Sequence, residues 1–172
     1  MTVYKLNREL WVPRPLPDVF EFFSRADNLQ RITPPWMMFR ILTPGPIEMR
    51  EGATIAYALR VRGIPLRWLT QIERWNPPFD FIDIQTKGPY KLWRHTHRFS
   101  EVEGGTLIVD TVEYALPFGV LGRLTHRIQV AQDLSRIFDY REQRVLQLFG
   151  CLEANRQAVG TRLSAEDSKR QN

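Results

Sequence analysis

The chain has 172 residues, of which 43% are hydrophobic and 25% charged, with a formal net charge of +5. That length fits one domain able to bury roughly 70% of its unfolded-chain surface, so its stability does not depend on cross-links. The composition excludes a disordered chain, no window approaches the ~18 apolar residues of a membrane-spanning helix, and a single cysteine, Cys151, excludes an internal disulfide.

The basic excess, with an isoelectric point near 9.7, is spread along the chain without a basic run or a nucleic-acid module. Arg60, Arg62, Arg67 and Arg74 read as solvated strand edges and a turn, and no nucleic-acid partner is expected. The start, MTVYKLNREL, lacks the basic region, apolar run and cleavage site of a signal peptide. With one thiol, this suits a reducing compartment, and a cytoplasmic location is expected. Cys151 follows Phe149 and Gly150 at a helix end, and nothing in the sequence beside it would activate a thiolate.

In chain order, residues 3–11 alternate as a half-buried strand, halted by Pro13, Pro15 and Pro17. Proline suits the first turn of a helix, and Val19, Phe20, Phe22 and Phe23 then predict a short amphipathic helix over 16–24. Leu29 and Ile32 predict a second, ended by Pro34-Pro35; Trp36 to Phe39 lead into a short strand ending at Pro44. Strands are predicted over 54–61, 66–75, 79–85, 90–101 and 106–116. Arg62-Gly63 reads as a hairpin loop, and Asn76-Pro77-Pro78, Lys87-Gly88-Pro89 and Glu103-Gly104-Gly105 as breaks between strands.

Pro117-Phe118-Gly119 ends the strands, and from Arg123 the apolar period changes from 2 to 3.6. Leu124, Ile128, Ala131, Phe138, Val145, Phe149 and Leu152 form one stripe of a long helix, with Gly150 as its end or interruption. Beyond Ala158 the tail is polar and expected to fray. The predicted class is α+β: one strand, two short helices, about six meandering strands and a long C-terminal helix. A single helix covers one face of a twisted sheet only if the sheet curls round it, which leaves an internal space.

At this point the sequence resembles the START-like superfamily, with the helix-grip fold shared by lipid carriers, plant Bet v 1-type proteins and polyketide cyclases. It is most similar to the bacterial ligand-binding SRPBCC group related to polyketide cyclase/dehydrase-like proteins. The resemblance rests on Gly88-Pro89-Tyr90, the run Trp93 to Phe99, Gly105-Thr106, Asp110 to Tyr114, Leu116 to Gly119 with Leu121-Gly122, and Ile137 to Arg141. It implies a curved antiparallel sheet of six to seven strands wrapped around the C-terminal helix. It also implies a domain over 1–154, followed by a polar tail over 155–172, and a hydrophobic cavity for a small ligand. It supplies no reaction, because one fold hosts many functions.

Within the 93–99 run, Trp93, His95, His97 and Phe99 share one face of a strand, and Arg94, Thr96 and Arg98 the other. The aromatic row is the inward one, beside an arginine-rich outer row. A two-residue turn at Glu103-Gly104 sets His97 opposite Asp110, His95 opposite Val112, Trp93 opposite Tyr114 and Phe99 opposite Ile108. It also pairs Arg94 with Glu113 on the solvent side, so both faces are consistent in one register. Arg141 falls on the helix stripe that faces the sheet, where a charge needs a partner: Asp110, Glu113 or an acidic group on a ligand.

His95, His97 and Asp110 are therefore a buried structural network, a recognition site in a mostly apolar pocket, or a catalytic His97–Asp110 general base. Two histidines and a carboxylate are also the inventory of a mononuclear iron site. No further ligand is evident in the sequence, so no metal or other cofactor is expected. His126 reads as a surface residue. Trp36, Tyr57, Trp68, Trp93, Phe99, Tyr114 and Phe138 complete the expected ligand-binding set with His95, His97, Asp110 and Arg141. The expected function is binding of a small, lipid-like or aromatic molecule, with a cyclase- or dehydratase-like enzyme as the alternative.

Overall fold

Alternating sequence and tight turns build one seven-stranded sheet in which every neighbouring pair is antiparallel. The computed structural model describes residues 1–117 and 129–150. In chain order the elements are β1 (Tyr4–Val12), α1 (Leu16–Phe23), α2 (Asn28–Ile32), a 3-10 turn (Pro35–Met37) and β2 (Arg40–Ile41). They continue with β3 (Thr54–Val61), β4 (Ile64–Asn76), β5 (Asp80–Lys87), β6 (Leu92–Val102), β7 (Gly105–Ala115) and α3 (Ala131–Leu148). The strand order is β1-β7-β6-β5-β4-β3-β2.

The meander from β2 to β7 follows from its turns. Val61 pairs with Ile64 around Arg62 and Gly63, both at positive φ (50° and 81°), the backbone of a tight two-residue hairpin. Val102 pairs with Gly105 around Glu103-Gly104, which sets the β6–β7 register expected from the sequence, including His97 opposite Asp110 and Arg94 opposite Glu113. Arg94 lies 3.8 Å from Glu113, but its shorter partner is Glu73 at 2.8 Å. Gly105 has a separate role: a Cβ there would strike the Val12 carbonyl oxygen and the backbone of Pro13, so only glycine lets the end of β1 close onto β7. Next to it, the fully buried Thr106 donates its hydroxyl to the Arg14 carbonyl at 2.8 Å.

Pairing of the first strand with the last curls the sheet around α3. α1 starts where prolines favour it and buries Leu16, Val19 and Phe20. Phe20 meets Phe99 edge-on, with ring centroids 5.5 Å apart, in a core that includes Val12, Phe81, Ile108 and Val145. Each such side chain contributes about 1.5–3 kcal/mol by leaving water. Two exposed ion pairs hold α3 in place: Arg62 forks onto Asp133 at 2.7 and 3.0 Å, and Arg8 reaches Asp139 at 3.1 Å. Exposed pairs of this kind add little stability but fix geometry. Arg14 meets the Phe149 carbonyl at 3.2 Å, satisfying an acceptor at the helix C-terminus.

Several sequence expectations change. The 36–39 segment is not all approach to a strand: Pro35–Met37 forms a 3-10 turn, and only Arg40–Ile41 pairs. α3 ends where Gly150 takes φ 69°, as its sequence suggests. The expected start of that helix near Arg123, His126, Cys151 and the 155–172 tail lie outside the described residues. Among the described residues no helix is long and apolar enough to cross a membrane.

Candidate functional site

The sheet's concave face and α3 enclose a cavity of about 340 Å³. Tyr57 on β3, Trp68 on β4 and Trp93 on β6 form much of one wall, with Leu134, Ile137 and Phe138 of α3 facing them. Tyr57 and Trp68 are opposed in the β3–β4 register and stack with their rings 15° from parallel. Trp93 meets Trp68 edge-on at 5.2 Å. Thr70, buried two residues beyond Trp68, anchors both rings: its hydroxyl accepts from Trp68 Nε1 at 3.1 Å and lies 2.9 Å from the Tyr57 hydroxyl. Burial, and then the Asp83 carboxylate, push the Tyr57 phenol well above its usual range.

One end of the cavity is polar. There β5 and β6 bring Asp83, His95 and His97 to the wall, and α3 brings Arg141. His95 and His97 are two residues apart on the same face, with ring centroids 3.8 Å apart. Their residues are only 4% and 2% exposed, so each polar atom needs a protein partner or a ligand. The β5–β6 register sets Asp83 opposite His95, and the β6–β7 register sets Asp110 opposite His97. The best hydrogen bonds run diagonally instead: His97 Nε2 to Asp83 Oδ2 at 3.0 Å and His95 Nε2 to Asp110 Oδ1 at 3.1 Å. His97 Nδ1 also lies 2.8 Å from Asp110 Oδ1, in ion-pair contact but not aligned as a hydrogen bond. His95 Nδ1 is 3.6 Å from Asp83 Oδ2.

Charge within this cluster is set by competition. Burial alone would raise both carboxyls. The two imidazoles more than offset it, holding Asp110 well below the usual carboxylate range and Asp83 below it as well, with Arg141 assisting at Asp83. Burial and the neighbouring His97 lower the His95 imidazole. For His97, burial acts downward, but carboxylates on both sides raise it above the ordinary histidine value. The two imidazoles are thus pushed in opposite directions, His97 upward by its flanking carboxylates and His95 downward by burial and by His97. Phe81, opposite His97 in register, stacks on its ring at 4.2 Å and shields it from one side.

The expected site residues separate into two groups. Tyr57, Trp68, Trp93, His95, His97, Phe138 and Arg141 line the cavity. Asp110 is buried behind the two histidines and does not line it. Trp36 is a correction: it is 53% exposed and packs on the outside against Tyr140 and beneath Arg136, because the 3-10 turn carries it away from the cavity. Phe99 is inward, as expected, but belongs to the α1 core beyond the cavity end. Tyr114 is buried against Tyr4, Tyr90 and Trp93, outside the cavity lining. Glu113 is on the outer face beside Arg94 and is no partner for Arg141. The Arg141 Nε is buried without a hydrogen-bond partner, and its guanidinium lies 5.8 Å from the Phe138 ring centre.

Asp83 is not among the residues that the sequence singles out. Its strand reads Asp80-Phe81-Ile82-Asp83-Ile84, with large apolar residues in both alternating rows, so the sequence names no inner face. The signal is indirect: once β6 faces inward through His95 and His97, whatever stands opposite joins them. With Asp83 present, three metal-capable donors, from Asp83, His95 and His97, lie within 4.8 Å of one another. From the sequence, Asp110 counts as the carboxylate beside the two histidines and no further ligand is evident; Asp83 is such a further carboxylate.

Residues 12–133 match the family described as polyketide cyclase / dehydrase and lipid transport. Among proteins with curated descriptions, none matches the sequence. Solved structures with the same fold include Ara h 8.0201, at 17% identity and a TM-score of 0.60, over 85% of this chain and 99% of that one. Another is the ginseng major latex-like protein 151 from Panax ginseng, at 10% identity and a TM-score of 0.62, over 83% and 95%. A nucleoside-diphosphate sugar epimerase from Corynebacterium glutamicum is 25% identical with a TM-score of 0.61; the match covers 83% of this chain but 28% of that one. By the match across most of its length, and by a helix-grip architecture in agreement with it, the chain belongs to the polyketide cyclase / dehydrase and lipid transport family.

Proposed function

We propose that the protein holds a small, mainly apolar molecule, lipid-like or aromatic, between its sheet and α3. The observation that carries this reading is the cavity of about 340 Å³, walled by aromatic and aliphatic side chains and polar at one end. Apolar walls with a few convergent polar groups bind by burial and orient by hydrogen bonding. The unpartnered Arg141 Nε–H would donate to an oxygen at the polar end of the ligand.

Native mass spectrometry of protein purified from its own host tests this, together with titration of an apolar fluorescent probe. A copurifying apolar molecule, or saturable probe binding that Ile137→Trp weakens at least tenfold, is the expected result. The absence of both a copurifying molecule and saturable probe binding would overturn the reading.

A second reading, a cyclase- or dehydratase-like reaction, is favoured by one observation. His97 lines the cavity while held between two carboxylates, an arrangement that would orient an imidazole for proton transfer. Its test is turnover of a polyketide-like substrate: His97→Ala should abolish it while leaving affinity nearly unchanged, and retained turnover would exclude this role.

A further inference from the structure

We propose that Asp83, His95 and His97 form a site for a divalent transition-metal ion, with its remaining coordination positions open to the cavity. Three potential metal-ligand atoms converge, His97 Nε2 giving up its proton on binding: His97 Nε2 is 3.0 Å, and His95 Nδ1 3.6 Å, from Asp83 Oδ2. Donors around one ion with bonds of about 2.0–2.2 Å lie roughly 3–3.6 Å apart, so both edges already have metal-site dimensions. The His95 edge is too long for a hydrogen bond, and it sets an imidazole nitrogen against a carboxylate oxygen. A cation between them satisfies both groups.

Asp110 completes the arrangement from behind. It contacts the nitrogen that each imidazole turns away from Asp83: His95 Nε2 at 3.1 Å and His97 Nδ1 at 2.8 Å. Metal-binding histidines characteristically offer their second nitrogen to a carboxylate, which fixes the ring orientation and strengthens the ligand. Here Asp110 accepts such a hydrogen bond from His95 Nε2 and stands in ion-pair contact with His97 Nδ1. It does not line the cavity, whereas the three proposed ligands do.

The charges agree as well. Asp83 and Asp110 balance a 2+ ion, leaving Arg141 at the same end as a donor to a ligand oxygen. Phe81 and Phe138 flank the two rings and limit water there. Two imidazoles with one carboxylate favour ions of the Zn²⁺, Co²⁺ or Fe²⁺ kind over Mg²⁺ or Ca²⁺, which prefer all-oxygen sites. An ion so placed would polarise a carbonyl or enol oxygen of a molecule in the cavity. The metal site does not depend on that molecule being present.

The test is titration of the chelator-treated, full-length protein with Co²⁺, followed by visible absorption, and with Zn²⁺, followed by calorimetry, with Mg²⁺ as a comparison. The expected result is saturable, stoichiometric binding of Co²⁺ and Zn²⁺ and none of Mg²⁺. Asp83→Asn or His97→Ala should weaken it at least 100-fold, and Asp110→Asn by about 10–100-fold. Histidine ring ¹⁵N spectra of the unmutated protein keep the test independent of variant folding. On Zn²⁺ addition, His95 Nδ1 and His97 Nε2 should shift. Absence of stoichiometric binding, unmoved His95 and His97 rings, or binding that survives both ligand substitutions would overturn the proposal.

Discussion

Asp110 stands directly opposite His97 across the β6–β7 pair, yet the aligned hydrogen bond it accepts comes from His95, one diagonal step away at 3.1 Å. Asp83 mirrors this: opposite His95, it accepts from His97 at 3.0 Å. The four side chains thus cross-brace three strands at the polar end of the cavity.

Removing Asp110 should therefore damage the fold more than a typical polar substitution. In the metal-free protein, Asp110→Ala leaves two buried imidazoles without their shared carboxylate, and breaking such a buried pair costs about 3–5 kcal/mol. The midpoint of urea unfolding should fall accordingly. A loss below ~1 kcal/mol would mean that the bracing is not energetically significant.

Phe99 and Phe138 should behave differently despite similar burial. Phe99 fills the α1 core, so Phe99→Ala should cost about 3–5 kcal/mol with little change in probe affinity for the folded fraction. Phe138 lines the cavity, so Phe138→Ala enlarges the space and should change probe affinity at least severalfold. Equal effects of the two on probe binding would contradict this division.

Thr70→Val keeps the shape of the side chain but removes the oxygen shared by Trp68 and Tyr57. A buried donor left unsatisfied costs about 1–3 kcal/mol, so stability should fall by that amount. Freed from its anchor, Trp68 should also show altered fluorescence, measured against a Trp68→Phe control.

Glu142 gives a pH dependence with a definite sign. Burial, opposed by Arg8 and reinforced by Asp139, raises its carboxyl above the ordinary value of 4.5. The folded state then holds the proton more tightly than the unfolded chain. Stability falls as pH rises from 4.5 through the higher folded-state value. Glu142 is only half-buried, so the effect is small: Glu142→Gln should flatten that slope and raise stability at neutral pH by less than ~1 kcal/mol. An unchanged pH–stability curve would show that this strain is absent.

Much of the architecture is legible in the sequence because it is written locally. The two-residue turns at Arg62-Gly63 and Glu103-Gly104 and the period-2 rows settle which strands are hairpins and in which register. That is why the His97–Asp110 opposition follows from the order of the residues alone. The 3.6 period past Ala131 likewise marks α3, and its apolar stripe places Phe138 and Arg141 toward the sheet.

Only the tertiary structure decided the rest, since it depends on contacts between segments far apart in the chain. β1 closes onto β7 across about a hundred residues, which local pattern does not encode. β5 has apolar residues in both rows, so its inner face, and with it Asp83, emerges only when β6 pairs beside it. Trp36 reads as a wall residue by type, but a 3-10 turn sends it outward. Residue types and spacing thus determined the strands, the helix and one histidine–aspartate pair. Long-range pairing alone brought a second carboxylate to the histidines and gave the cavity its polar end.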